Sequence, residues 1–196
     1  MKTNLTEIIF LLDRSGSMAG LERDTIGGFN SFIERQTKLE GDTVVTTVLF
    51  DDKYEIICDG VPAEDARLTS DNYFVRGTTA LLDAIGKTIV DVGLRLVKTK
   101  EDERPSNVIF VITTDGMENA SRKFSYEKVE EMIRHQKERY NWEFIFLGAN
   151  IDSKTEADSI GIDVTNAYNF EATTTGVEKM YDFVCDVVAE KRQSVK

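Results

Sequence analysis

The stretch Ile8-Ile9-Phe10-Leu11-Leu12-Asp13-Arg14-Ser15-Gly16-Ser17-Met18 decides the fold of this 196-residue chain. Its apolar half has no polar alternation and stops at a charged turn containing glycine. An unbroken apolar run of this length reads as a strand covered on both faces. Residues 44–50, 108–114 and 144–147 have the same character and are rich in β-branched or aromatic side chains. Residues 54–58 follow the second run after only Asp51-Asp52-Lys53, a link short enough for a hairpin. That predicts one antiparallel edge strand, with Asp51 and Asp52 as turn residues.

Helical spacing fills the intervals. Residues 21–39 carry Ile26, Phe29, Phe32 and Ile33 on one side, and residues 81–97 repeat Leu82, Ile85, Ile89, Val92 and Leu96 at steps of three and four. Residues 125–140 open on Ser125, with Lys128 three positions on, which is half a capping box. Residues 154–160 form a short helix between an Asp152 N-cap and a C′ glycine, Gly161. Residues 176–191 set Met180, Phe183, Val184, Val187 and Val188 together. Strands that alternate with helices predict an α/β fold. Its sheet is open and mostly parallel with helices on both faces, in one domain over residues 1–196.

Hydrophobic residues make up 41% of the chain and charged residues 30%, as expected of a soluble globular protein. The formal net charge of −11 disfavours nucleic acid and anionic membranes as partners, and it suits a cation site. The few positive charges in residues 134–139 read as a solvated helix face. No run approaches a membrane span. The first apolar run is too short for a signal-peptide core. Cys58 and Cys185 have no CxxC partner, so no zinc or redox motif is present, and they read as buried thiols. Together these features predict a cytoplasmic protein.

In open α/β sheets the ligand crevice lies beyond the carboxyl ends of the strands. There the first strand runs into Asp13-Arg14-Ser15-Gly16-Ser17, and the 108–114 strand runs into Asp115-Gly116. The segment Arg76-Gly77-Thr78-Thr79-Ala80-Leu81 opens a long helix at the same edge. The three places gather two carboxylates and several hydroxyls, with no soft ligand. Oxygen donors alone suit Mg²⁺, Ca²⁺ or Mn²⁺. Asp13, Ser15 and Ser17 lie two residues apart, so an extended or looping segment can turn them the same way, and Gly16 lets the chain bend between the serines. Neutral hydroxyls complete a coordination shell without cancelling the ion's charge.

These motifs resemble the von Willebrand factor A (vWA) domain family and its metal ion-dependent adhesion site. Asp-x-Ser-Gly-Ser, a threonine in a Gly-rich turn and an Asp-Gly after a later strand occur in the family's order. Gly77-Thr78-Thr79-Ala80-Leu81-Leu82-Asp83-Ala84 is similar to the family's Gly-Gly-Thr-Ala-Leu turn, which puts the ligand threonine at Thr79. Thr78 stands where the family has its second glycine and is the alternative. The Thr114-Asp115-Gly116 match makes Asp115 the last carboxylate. The resemblance implies a Rossmann-like fold and one ion, Mg²⁺ first, with Mn²⁺ or Ca²⁺ as alternatives. It also implies that the ion is held by Asp13, Ser15, Ser17, Thr79 and Asp115 and bound by an Asp or Glu of a protein partner. Loops around residues 18–21, 76–79 and 117–121 would read that partner. Phe144-Ile145-Phe146-Leu147-Gly148-Ala149-Asn150-Ile151-Asp152 is similar to a bacterial and phage intracellular branch of the family, related to proteins found near tellurite-resistance and other stress gene clusters.

Other polar residues read as structural. Glu118 and Asn119 suit a solvated loop, Asp83 a structural contact and His135 a surface position, while Asn150 can border the crevice. The function expected is a metal-dependent protein–protein interaction module without enzyme activity. One alternative is a regulatory or scaffold subunit of a larger, ATPase-containing stress-response assembly. Another is a phosphatase with Asp13 as nucleophile beside Mg²⁺. Such enzymes place a second Asp two residues on as general acid, and this chain has Ser15 there.

Overall fold

The first strand becomes the middle of the sheet. In a computed structural model, which describes residues 2–193, β1 (Lys2–Asp13) lies between β2 (Asp42–Phe50) and β4 (Pro105–Thr114), parallel to both. β3 (Tyr54–Pro62) pairs antiparallel with β2 at one edge. β5 (Glu143–Gly148) and β6 (Ala167–Asn169) extend the parallel side, giving the order β3-β2-β1-β4-β5-β6. The expected class, a mostly parallel Rossmann-like sheet with one antiparallel edge strand and helices around it, is the one observed.

Side chains alternate across a strand, so a strand apolar at every position must be covered twice. Ile8, Phe10 and Leu12 enter the layer beneath α1 (Glu22–Thr37) and α5 (Thr174–Gln193). Ile9 and Leu11 enter the opposite layer, beneath α2 (Leu81–Lys98), α3 (Tyr126–Tyr140) and α4 (Ser153–Ser159). None of the five is more than 1% exposed. Phe10 meets Phe29 and Phe32 of α1 edge-on, at centroid distances of 5.3 and 4.9 Å.

The helix ends follow the sequence signals closely. The Ser125 hydroxyl accepts from the Lys128 amide to start α3. The Asp152 carboxylate accepts from the Lys154 and Thr155 amides to start α4, and Gly161 follows that helix at φ +77°. His135 is exposed on α3, as expected. β6 leaves no signal in the sequence, because Ala-Tyr-Asn is too short to show a period, and only pairing with β5 makes it a strand. Among the described residues no helix is long and apolar enough to cross a membrane.

The chain leaves β1 for α1 on one face and leaves β4 for α3 on the other. The crevice therefore opens between the carboxyl ends of β1 and β4, where the direction of winding reverses. Register sets what faces it. Leu12 is paired with Thr113, so Asp13 ends its strand beside Thr114, and Asp115 comes next.

The contact of α5 with α1 is close. A Cβ added to Gly28 would lie 2.1 Å from Cδ2 of the buried Tyr181, whereas one added to Gly27 would meet nothing within 4 Å. Gly28→Ala should therefore destabilise the protein by about 1–3 kcal/mol through overpacking. Gly27→Ala should stabilise it by up to about 1 kcal/mol through helix propensity. Urea unfolding checks both, and equal stability of the two variants would contradict the packing described.

Candidate metal centre

Asp13 closes β1 with its side chain buried at 1% exposure. Its Oδ1 accepts from the Ser15 amide at 2.7 Å, and its Oδ2 accepts from the Thr114 hydroxyl on β4 at 2.7 Å. Beyond it the chain turns through one 3-10 turn, Gly16–Met18. That turn brings Ser15 Oγ to 3.0 Å from Ser17 Oγ, and the Ser17 hydroxyl donates to Asp115 Oδ1 at 2.5 Å. Asp13, Ser15 and Asp115 are buried while Ser17 is exposed, so the cluster has a floor and an open side.

The threonine comes from the turn before α2. Gly77 there has φ +70°, which favours glycine, and a Cβ on it would also displace the Asp52 carboxylate, whose Oδ1 would stand 2.1 Å away. Its carbonyl accepts from the Gly16 amide at 3.1 Å, which docks the turn on the serine segment. Thr79 then faces inward, at 3% exposure, and Thr78 faces solvent. A Cβ placed on Gly116 would lie 3.4 Å from both Ser17 Oγ and Thr79 Oγ1. The two hydroxyls thus converge beside the Asp115-Gly116 turn. All five residues expected at the site meet at one place, and of the two threonines the geometry brings in Thr79.

Several residues read as bland in the sequence hold this place together. Glu118 and Asn119 lie in a loop as expected, Asn119 exposed and Glu118 half-buried, but their side chains also brace the site. Asn119 Oδ1 accepts from the Thr79 amide at 2.9 Å, and its own amide donates to the Thr79 carbonyl at 3.0 Å. Glu118 accepts from the amides of Leu82, Ala120 and Ser121. The bond to Leu82 satisfies an amide at the start of α2, which has no side-chain cap of its own, and the other two tie down the Glu118 loop. Asp83 accepts from the amides of Arg122, Lys123 and Phe124, the structural contact expected of it. Asn150 borders the crevice and donates to the Asp115 carbonyl at 3.5 Å. Met18 and Leu21, placed by the sequence on a partner-reading loop, are buried in the core instead, and Ala19 and Gly20 are the exposed residues there.

Asp51 departs furthest from expectation. Asp51 is no mere turn residue: it is fully buried, and its Oδ2 accepts from Arg14 Nε at 3.0 Å and Arg76 Nε at 2.7 Å. Burial pushes the Asp51 carboxyl up. Hydrogen bonds from Arg76 and the Lys53 amide, with the two arginine charges, outweigh burial and hold it below the usual range. Arg14 is also fully buried, with Nη1 2.8 Å from Glu55 Oε2. A sequence pattern gives no signal for this, because Asp51 lies 37 residues from Arg14 and 25 from Arg76.

The electrostatics bear on what the cluster can hold. Among the described residues no ion pair reaches Asp13 or Asp115, and Asp115 Oδ2 is buried with no hydrogen-bond partner. Burial raises the Asp13 carboxyl from 3.8 to about 6; the bonds from Ser15 and Thr114 offset part of this, and the Asp115 charge adds to it. Burial also raises Asp115, against the Ser17 hydrogen bond. Buried anions without a countercharge are costly. A hard divalent cation meets that need with the oxygen donors present, so the residues fit such an ion.

No protein-family model matches the chain, and no curated protein matches it. Solved structures do. One is the vWF domain of the type V pili tip protein Mfa5 from Porphyromonas gingivalis, at 9% identity and TM-score 0.67, covering 96% of each chain. Another is the mussel byssus proximal thread matrix protein 1 with a zinc-occupied MIDAS motif, at 16% identity and TM-score 0.64, covering 94% of this chain and 46% of that one. A third is the manganese-loaded TRAP protein of Plasmodium vivax, at 17% identity and TM-score 0.62, covering 90% of this chain and 72% of that one. The chain spans about half the length of the mussel protein, 46%. At these identities the likeness establishes the fold.

The raised Asp13 carboxyl makes a prediction for the metal-free protein. A carboxyl whose pKa is higher folded than unfolded destabilises the fold once it must ionise. The penalty is absent below about pH 4, where the group is protonated in both states, and complete above about pH 6. In chelator at pH 7.5, Asp13→Asn should be the more stable protein by up to about 3 kcal/mol. Its advantage should fade as the pH is lowered through 6 toward 4. Urea unfolding of both proteins across that range checks the sign, and a pH-independent difference contradicts it.

Proposed function

We propose that this chain, which has the fold of a von Willebrand factor A domain, is a metal-dependent protein–protein interaction module without catalytic chemistry. The reading rests on one observation: two buried carboxylates, Asp13 and Asp115, meet three hydroxyls at an open strand end, with no basic group among the described residues paired to either. Asp13, Ser15, Ser17, Thr79 and Asp115 hold one divalent cation, Mg²⁺ in preference to Mn²⁺ or Ca²⁺. When bound, the ion supplies an electrophilic coordination position that a carboxylate oxygen of a partner's Asp or Glu can fill.

The residues divide the work. The two oxygens of Asp13 are already oriented by the Ser15 amide and the Thr114 hydroxyl, so it is preset and suited to act through ordered water. Ser15, Ser17 and Thr79 donate neutral oxygens and leave the positive charge uncancelled. Asp115 has a buried oxygen with no protein partner, free for a ligand. The exposed rim beside them, Ala19, Gly20, Thr78 and Met117, lies where a partner would touch. An enzyme reading has less support, because Ser15 stands where an aspartate-based phosphatase carries its general acid. Cys58 and Cys185 are both free thiols, which supports an intracellular, reducing setting.

Calorimetric titration with Mg²⁺ tests the site. The wild-type chain should bind one ion, and Asp13→Ala, Ser15→Ala and Asp115→Ala should each weaken binding at least tenfold while remaining folded, about 1.4 kcal/mol or more. If all four proteins take up the ion alike, it is held elsewhere.

A further inference from the structure

Asp51 lies outside the five-residue site, yet it touches both neighbours of the site's floor. Arg14, whose Nε it binds, sits in the chain between Asp13 and Ser15. The Asp51 carbonyl accepts from the amide of Ala80, the residue after Thr79, at 3.0 Å. Arg14 is fixed by its backbone as well: its amide donates to the Phe50 carbonyl at 2.9 Å, and its carbonyl accepts from the Arg76 amide at 2.8 Å. The backbone therefore does not need the Arg14 guanidinium to stay in place. What the guanidinium adds is a fully buried positive charge on the residue that lies in the chain between Asp13 and Ser15.

That charge works against the ion. In a medium of low polarity a cation near a divalent ion raises its energy, and it can also capture the carboxylates meant for the ion. The structure directs the guanidinium elsewhere, although among the described residues its Nη1 and Nη2 make no hydrogen bond. Nε lies on Asp51 at 3.0 Å, Nη1 lies 2.8 Å from Glu55, and the Phe74 ring lies 5.4 Å from Arg14 Cζ and 5.1 Å from Arg76 Cζ. Neither Asp13 nor Asp115 takes part in an ion pair among the described residues. Of the two acids on Arg14, Glu55 is half exposed and Asp51 fully buried, so Asp51 is the less screened countercharge.

We infer that Asp51 is a positioning residue for the ion site that acts through Arg14: it neutralises the buried guanidinium and keeps it off Asp13 and Asp115. The inference rests on the reading of Asp13 to Asp115 as a metal site. It goes beyond that reading by placing a countercharge, not a ligand, among the determinants of ion affinity.

The test is a charge series read by Mg²⁺ calorimetry, with melting temperatures in chelator as the measure of the fold. Asp51→Asn leaves the buried charge undercompensated and should bind Mg²⁺ at least tenfold more weakly. Arg14→Met removes the charge and should bind at least as tightly as wild type. Arg14→Met with Asp51→Leu removes both charges, a replacement that buried pairs often tolerate, and should return to within about threefold of wild type. A purely structural role would lower affinity wherever it lowers stability, and would not spare Arg14→Met.

The inference is overturned if folded Asp51→Asn binds like wild type, if Arg14→Met binds more weakly, or if the double variant is as weak as Asp51→Asn. Should Asp51→Asn fail to fold, weaker binding by Arg14→Met still overturns the inference, and Asp51→Ser takes the place of Asp51→Asn in the series with the same expected loss. A wild-type chain that binds no Mg²⁺, or an Asp115→Ala variant that binds as well as wild type, refutes the metal reading itself. Either result is distinct from a failure of the charge series.

Discussion

Two carboxylates buried side by side without a countercharge are the constraint around which this fold is arranged. Asp13 and Asp115 end up together because β1 and β4 pair in parallel with Leu12 beside Thr113. Each carboxyl is pushed up by its burial, which measures how poorly the protein alone accommodates its ionised form. Such a place stores a cost that a bound cation can relieve. Hydroxyls from two further segments surround it, and the nearest arginine is turned away to Asp51 and Glu55.

The support around the carboxylates consists mostly of hydrogen bonds to backbone groups. Gly16 docks on the Gly77 carbonyl, Thr79 exchanges two hydrogen bonds with Asn119, and Glu118 satisfies amides of the α2 start and of its own loop. The buried Tyr73 donates its hydroxyl to the Asp13 carbonyl at 2.8 Å. Three loops that could each move freely are thereby joined into one rim. A site whose donors are held by backbone bonds needs little rearrangement to receive an ion, and preorganisation of this kind lowers the cost of binding.

The expectations that failed share a physical cause. Glu118, Asn119 and Asp51 stand between elements, where local sequence suggests solvated turns and nothing more. Each is claimed by a distant partner: Leu82 amide for Glu118, Thr79 amide for Asn119, Arg14 and Arg76 for Asp51. Met18 and Leu21 failed in the opposite sense, lying near the site in sequence but packing into the core. β6 has too few residues for periodicity to act on, and the neighbouring strand makes it.

By itself the sequence determined the α/β class, the antiparallel edge, the helix caps at Ser125 and Asp152, and the residues that would gather at the strand ends. Those features depend on side-chain period and on bonds between near neighbours, which a linear pattern records. Only the tertiary structure decided that Thr79 faces inward and Thr78 outward, that Asp115 keeps a buried oxygen free, and that Arg14 is neutralised by Asp51. Each of these turns on a contact between segments tens of residues apart. Burial and charge balance belong to the packed chain, and no local stretch of sequence contains them.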